Sequence, residues 1–194
     1  MVGTLAEVDA HDGIAWMLEQ LWAPIVAVTA AHGGRRNGLI SSTALTASLL
    51  PEAPRIAVHL SKASFTHDLV LASGAFAVHL LPTEGLAAFH ALGMRSGRDG
   101  DKLDGIPTRP GVTGSPVLTD AVAYVEGRVV ETLDSDNLTI VLADVVAGAR
   151  LRHEPFLTIE LVRDRMPPEW QAEWELRLES ELREARRLRA ARFP

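Results

Sequence analysis

From Pro24 onward the chain is broken into short, β-rich apolar runs, and most of the gaps between them hold only a few residues. Parallel neighbours in a sheet need connections of a dozen residues or more, usually helical, whereas antiparallel neighbours are joined by tight turns. Runs at 25–31, 38–44, 46–50, 55–60, 76–81, 121–132, 138–147 and 156–162 therefore predict a mainly β, antiparallel barrel. Turn residues fall between them at His32-Gly33-Gly34, Asn37-Gly38, Pro51 and the polar stretch 133–137. Asn-Gly tolerates positive φ at both positions, so 37–38 reads as a two-residue turn. Helices are expected at 14–22 behind Asp12 as N-cap, at 66–73 ahead of Gly74, and at 84–92. Residues 93–114 read as a long polar loop.

The last segment has a different composition. Trp170, Trp174, Leu178 and Leu182 step by four and draw an apolar stripe along a helix. Its six Glu and six Arg cancel, so the helix offers no basic face to nucleic acid. The chain thus divides into a β domain over 1–166 and a helical extension over 167–194.

With 194 residues, 47% of them apolar, there is material for one domain with a substantial core. There is no cysteine, which excludes a thiol nucleophile, a redox dithiol, a Cys-bound zinc and a cysteine-held iron–sulfur cluster. Any electrons such a protein moves must be carried by a bound cofactor. The net charge of -6 supplies no field to draw nucleic acid or anionic lipid. No apolar run approaches the ~20 residues that span a bilayer, and residues 1–12, with Glu7, Asp9 and Asp12, lack the pattern of a secretory signal. The expectation is a soluble, cytoplasmic protein that binds neither membrane nor nucleic acid.

The chemistry is concentrated between Arg35 and His67. The run Leu39-Ile40-Ser41-Ser42-Thr43-Ala44-Leu45-Thr46-Ala47-Ser48 is dense in small residues and hydroxyls, unlike a buried strand rich in Val, Ile and Phe. Small side chains let a flat ligand lie close to the backbone. Ser61-Lys62-Ala63-Ser64-Phe65-Thr66-His67 follows at the entrance to a helix, where hydroxyls, a lysine and free N–H groups suit a phosphate. A planar ring beside a phosphate is the outline of flavin mononucleotide (FMN). Lys62 with Arg35 or Arg36 can balance its charge. Each half alone also has a plainer reading, as a solvated strand face and a simple N-cap.

In order along the chain, 24–29, 37–51, 61–66, 73–81, Asp101-Lys102-Leu103, 114–118, 121–132 and 138–146 make the sequence resemble the flavin reductase-like family of FMN-binding split barrels. The resemblance implies a Greek-key split barrel, a homodimer, non-covalent FMN or FAD, and NADH or NADPH as co-substrate. Reduced flavin then goes to a partner monooxygenase. By position, Ser41, Ser42, Thr43 and Ala44 line the isoalloxazine, with Asn37 among the cofactor-binding residues. Thr46 and Ser48 lie toward the ribityl chain, and Ser61, Lys62, Ser64, Thr66 and His67 hold the phosphate. The chain departs from the family in having His79 where Asn is common, Leu103 where Phe is common, and Asp136-Asn137 where an Asp-His pair is common. Two other readings remain open at this point: an FMN-binding electron-transfer protein, and a non-enzymatic flavin-binding dimer.

The seven histidines show no HxH or HExxH spacing, so no metal site is expected. His153, in a loop after Arg150-Leu151-Arg152, is the one candidate catalytic side chain for the flavin face or a nicotinamide.

Overall fold

The computed structural model describes residues 24–192; the helix expected at 14–22 lies outside them. Strands β1 (Val26–His32) and β2 (Arg35–Ser41) form a hairpin, followed by β3 (Ala44–Thr46) and β4 (Arg55–Ser61). Helix α1 (Phe65–Ser73) leads into β5 (Ala75–Leu80). Helix α2 (Leu86–Met94) precedes a small hairpin of β6 (Thr108–Pro110) and β7 (Pro116–Leu118). Two long strands, β8 (Ala123–Ser135) and β9 (Leu138–Arg150), lead to α3 (Ile159–Arg165) and α4 (Pro168–Arg192).

Seven strands form one antiparallel sheet in the order β2-β1-β5-β8-β9-β4-β3. Strands β2 and β3 stand at opposite edges, yet only Ser42 and Thr43 separate them in the chain. Three Cα steps reach about 11 Å, whereas seven flat strands at about 4.8 Å spacing measure roughly 29 Å across. The sheet therefore has to curl until its edges meet, which gives the split barrel. Register shifts in β8 at Glu126/Gly127 and Val129/Glu131 add the local bend that bulges supply.

Strand β1 is buried on both faces. Val26, Val28 and Ala30 join the barrel interior with Val58, Leu60 and Phe76. Ile25 and Ala27 pack outward with Phe89, Leu92, Leu103, Leu118 and Leu157, where α2, α3 and the β6–β7 hairpin cover the sheet. Helix α1 adds Phe65, Leu69 and Val70 to the interior. Ser64 caps it by accepting the Thr66 N–H, and Gly74, at φ 65°, ends it in the left-handed conformation that glycine adopts without strain.

Four local expectations change. The first turn falls at Gly33-Gly34, both at positive φ, not at Asn37-Gly38. Asn37 pairs with Ala30 and Gly38 with Thr29 inside the hairpin, so two glycines outcompete one Asn-Gly pair for the turn. Of the strand expected at 46–50 only Thr46 is a strand residue, the last of β3, and 47–50 are mostly exposed loop. The polar loop 93–114 contributes buried Leu103 and the strand β6. The strand expected at 156–162 is largely α3. Thr158 accepts the Leu161 N–H as an N-cap, and Arg163 and Arg165 lie in the last turn, where the helix dipole favours cations. Phe156 keeps a single bridge to Pro82.

Candidate functional site

A cleft of about 290 Å³ opens beneath α4, at the seam where β2 crosses to β3. Its floor is the end of β2 and the crossing, Leu39 to Thr43. One wall is the end of α2, with Phe89, Leu92 and Met94; the other is His59, Ser61 and Ser64. Trp174, Arg177, Leu178 and Glu181 of α4 form the roof. At the floor, Ser41 Oγ accepts the Thr43 N–H at 3.1 Å and lies 3.0 Å from Thr43 Oγ1, a local turn that leads the chain out of β2.

A second hollow of about 160 Å³ shares Ser64, Arg177 and Glu181 with the cleft and adds Arg95, Ser96 and Lys102. Lys102 is only 5% exposed, and its Nζ donates to the Leu92 carbonyl. Burial, then the nearby Arg177 guanidinium, lower its pKa to about 7, against the opposing pull of Glu181. Arg177 donates to the Arg95 carbonyl at 3.1 Å and pairs with Glu181 at 3.0 Å. A third hollow, of about 140 Å³, continues under α4 past Asn137 and Leu138 to Leu188.

Of the residues expected from the sequence, the cleft brings together Ser41, Ser42, Thr43, Ser61 and Ser64. Asn37 stands behind it, its Nδ2 donating to Thr66 Oγ1 at 3.0 Å and tying the first turn of α1 to β2. His67 is also buried, with Nε2 2.9 Å from Thr139 Oγ1 and Nδ1 3.2 Å from Asp68. Lys62 pairs with Asp134 at 2.7 Å. Ala44 and Thr46 lie in β3, and half-buried Ser48 lies beyond it, where Thr46 Oγ1 donates to the Ser48 carbonyl. His153 is exposed in the loop after β9, at the far end of that strand from Leu138 in the cleft.

Arg95, Lys102, Trp174, Arg177 and Glu181 line these hollows although none was expected among the site residues. The apolar stripe of the last helix was a partial signal. Trp174 stacks on Phe89 with centroids 5.5 Å apart, and Trp170 on His90 at 4.1 Å. His90 and Glu173 close the same contact at 2.7 Å. A step of four residues drifts about 40° around a helix of 3.6 residues per turn, so the stripe rotates away. Leu178 and Leu182 end up 48% and 44% exposed, while Arg177, Glu181 and Glu184 are half-buried.

Residues 18–164 match the model of the flavin reductase like domain, and the chain belongs to that family. It is 35% identical over 133 residues to the ferric-chelate reductase (NAD(P)H) of Archaeoglobus fulgidus, covering 68% of this chain and 78% of the relative. It is 32% identical over 131 residues to the high molecular weight rubredoxin of Moorella thermoacetica, covering 66% of this chain but only 56% of that longer protein. Among solved structures, an FMN-binding protein from Thermus thermophilus superposes with a TM-score of 0.62 at 25% identity, covering 77% of this chain and 79% of the other. No helix among the described residues is long and apolar enough to cross a membrane.

Proposed function

We propose that the protein is an FMN-dependent NAD(P)H:flavin oxidoreductase, holding its flavin in the cleft beneath α4 and supplying reduced flavin to a partner monooxygenase as a cytoplasmic homodimer. The observation that carries this reading is the chemistry of the cleft. Apolar side chains stand in its floor, one wall and its roof (Leu39, Leu92, Met94, Trp174), and hydroxyls and backbone of Ser41, Ser42 and Thr43 edge one side. Such a slot suits a flat heteroaromatic ring with polar atoms along one edge. Its volume is close to the ~300 Å³ lower end of ligand sites, and the adjoining hollow extends it toward Ser64.

A bound flavin supplies two-electron chemistry with a nicotinamide nucleotide, so the protein needs no nucleophile or proton-relay triad. What the chain contributes is position. Ser41, Ser42 and Thr43 orient the ring edge, Ser61 and Ser64 stand toward the phosphate, and Trp174 excludes water from above. Asn37, Thr66 and His67 hold α1 against the sheet behind them. The ferric-chelate reductase relative supports reduction by NAD(P)H.

The test is spectroscopic. Protein as purified, or after adding FMN, shows the flavin band at roughly 450 nm, and stopped-flow mixing with NADH or NADPH bleaches it within the turnover time. A protein that binds neither FMN nor riboflavin at micromolar concentration refutes the reading. The rubredoxin relative favours a second reading, an FMN electron carrier. That reading predicts bound flavin that neither nicotinamide reduces.

A further inference from the structure

Helix α4 covers the cleft with charged as well as apolar side chains: Trp174, Arg177, Leu178 and Glu181 line it together, and Leu178 is still 48% exposed. A charge drawn out of water is costly unless it meets an opposite charge or a hydrogen-bond partner, and Arg177 has both in Glu181 and the Arg95 carbonyl. Arg177 is common to the ring cleft and the second hollow, so it stands where they join. The side chains around that hollow include three cations, Arg95, Lys102 and Arg177, and one carboxylate, Glu181. With Lys102 protonated, the balance of about two positive charges matches a phosphate monoester, which carries roughly -1.5 to -2 near neutral pH. The hydroxyl-bearing residues Ser64, Ser96 and Ser180 complete the lining.

We propose that α4, which follows the matched domain, is a working part of the flavin site, with Arg177 binding the phosphate of the flavin together with Lys102. This rests on the flavin reading above and adds to it the element that recognises the anionic end. Glu181, 3.0 Å from Arg177, is a positioning residue that holds the guanidinium over the hollow. Lys62, paired with Asp134, is not among the side chains that line this hollow. The arrangement makes the helix selective: flavin carrying a phosphate gains the Arg177 contact, and riboflavin does not.

The experiment compares dissociation constants for FMN and riboflavin, by flavin fluorescence quenching, in the 194-residue protein and its variants. Arg177→Gln is expected to weaken FMN binding about tenfold or more, the scale of one charge-assisted hydrogen bond, and to leave riboflavin within about twofold. Lys102→Met, on the barrel side of the same hollow, shifts FMN in the same direction. Arg183→Gln, 66% exposed on the same helix, changes neither ligand. Far-UV circular dichroism confirms that the variants are folded, and an unchanged riboflavin constant confirms that the ring cleft is intact. Wild-type protein that binds FMN no better than riboflavin, or an Arg177→Gln variant with an unchanged FMN-to-riboflavin ratio, overturns this proposal while sparing the flavin reading. Wild-type protein that binds neither ligand overturns both.

Discussion

The Nδ1–H of His79 donates to the Ala27 carbonyl at 3.2 Å, across the pairing of β5 with β1. Its Nε2 accepts the Leu118 N–H at 3.1 Å, so the neutral ring uses both nitrogens to tie the β6–β7 hairpin to the sheet. Burial pushes its pKa down to about 4, although the Ala27 hydrogen bond and the Glu126 charge resist the shift. An unfolded histidine takes up a proton near pH 6.5, while the folded ring resists until about pH 4. This contribution is therefore intact above pH 6.5 and is lost as pH falls from 6.5 to 4, by about 3 kcal/mol in all. Urea unfolding of wild type and His79→Asn at pH 7, 5.5 and 4.5 checks this. The wild type loses stability more steeply, and parallel slopes in the two proteins contradict it.

Glu126 is fully buried, and its carboxylate accepts the Val112 N–H, the Thr113 N–H and the Thr113 hydroxyl at 3.1, 2.8 and 2.7 Å. A Cβ on Gly111 would lie 2.3 Å from one of its oxygens. Glu126→Gln puts an amide N–H against backbone donors, and Gly111→Ala displaces the carboxylate. Each is expected to cost about 1–3 kcal/mol. Because both act on one contact, the double variant loses less than the two separate losses combined. Chemical denaturation of the three variants measures this.

The Trp174–Phe89 stack is the main apolar hold on α4 at the cleft. Trp174→Ala is expected to weaken docking of that helix by about 1–3 kcal/mol, less than for a fully buried tryptophan. Hydrogen exchange is the readout. Amides in the docked part of α4 exchange faster, while those of β1, β5 and β8 keep their protection.

Lys102 shares one hollow with Arg95, Arg177 and Glu181 and an adjoining one with Arg95, Asp99 and Asp101. With its pKa near 7, it loses its charge as pH rises past neutrality. Phosphate binding favours the protonated form, so FMN affinity should fall by up to about tenfold per pH unit above 7. Riboflavin affinity stays level, as does FMN affinity in Lys102→Met. Fluorescence titrations between pH 6.5 and 8.5 distinguish these outcomes.

Antiparallel runs without room for crossovers, the helix closed by Gly74, and the hydroxyl-rich passage from Ser41 to Thr43 were all legible in the sequence, because each depends on residues close in the chain. Turn competition was harder: Gly33-Gly34 and Asn37-Gly38 are both plausible turns, and the pairing of all of β1 with β2 decided between them. The apolar run 156–162 reads as a short strand, and the Thr158 cap and packing on the outer face made most of it a helix. The roof of the cleft and its hold on the α2 wall depend on contacts between residues more than eighty positions apart, such as Arg95 with Arg177 and Phe89 with Trp174. Local sequence supplied the hydroxyl edge of the site. Curling of the sheet and docking of α4 decided which cations face it, because that choice depends on how one helix is rotated against a barrel assembled from the rest of the chain.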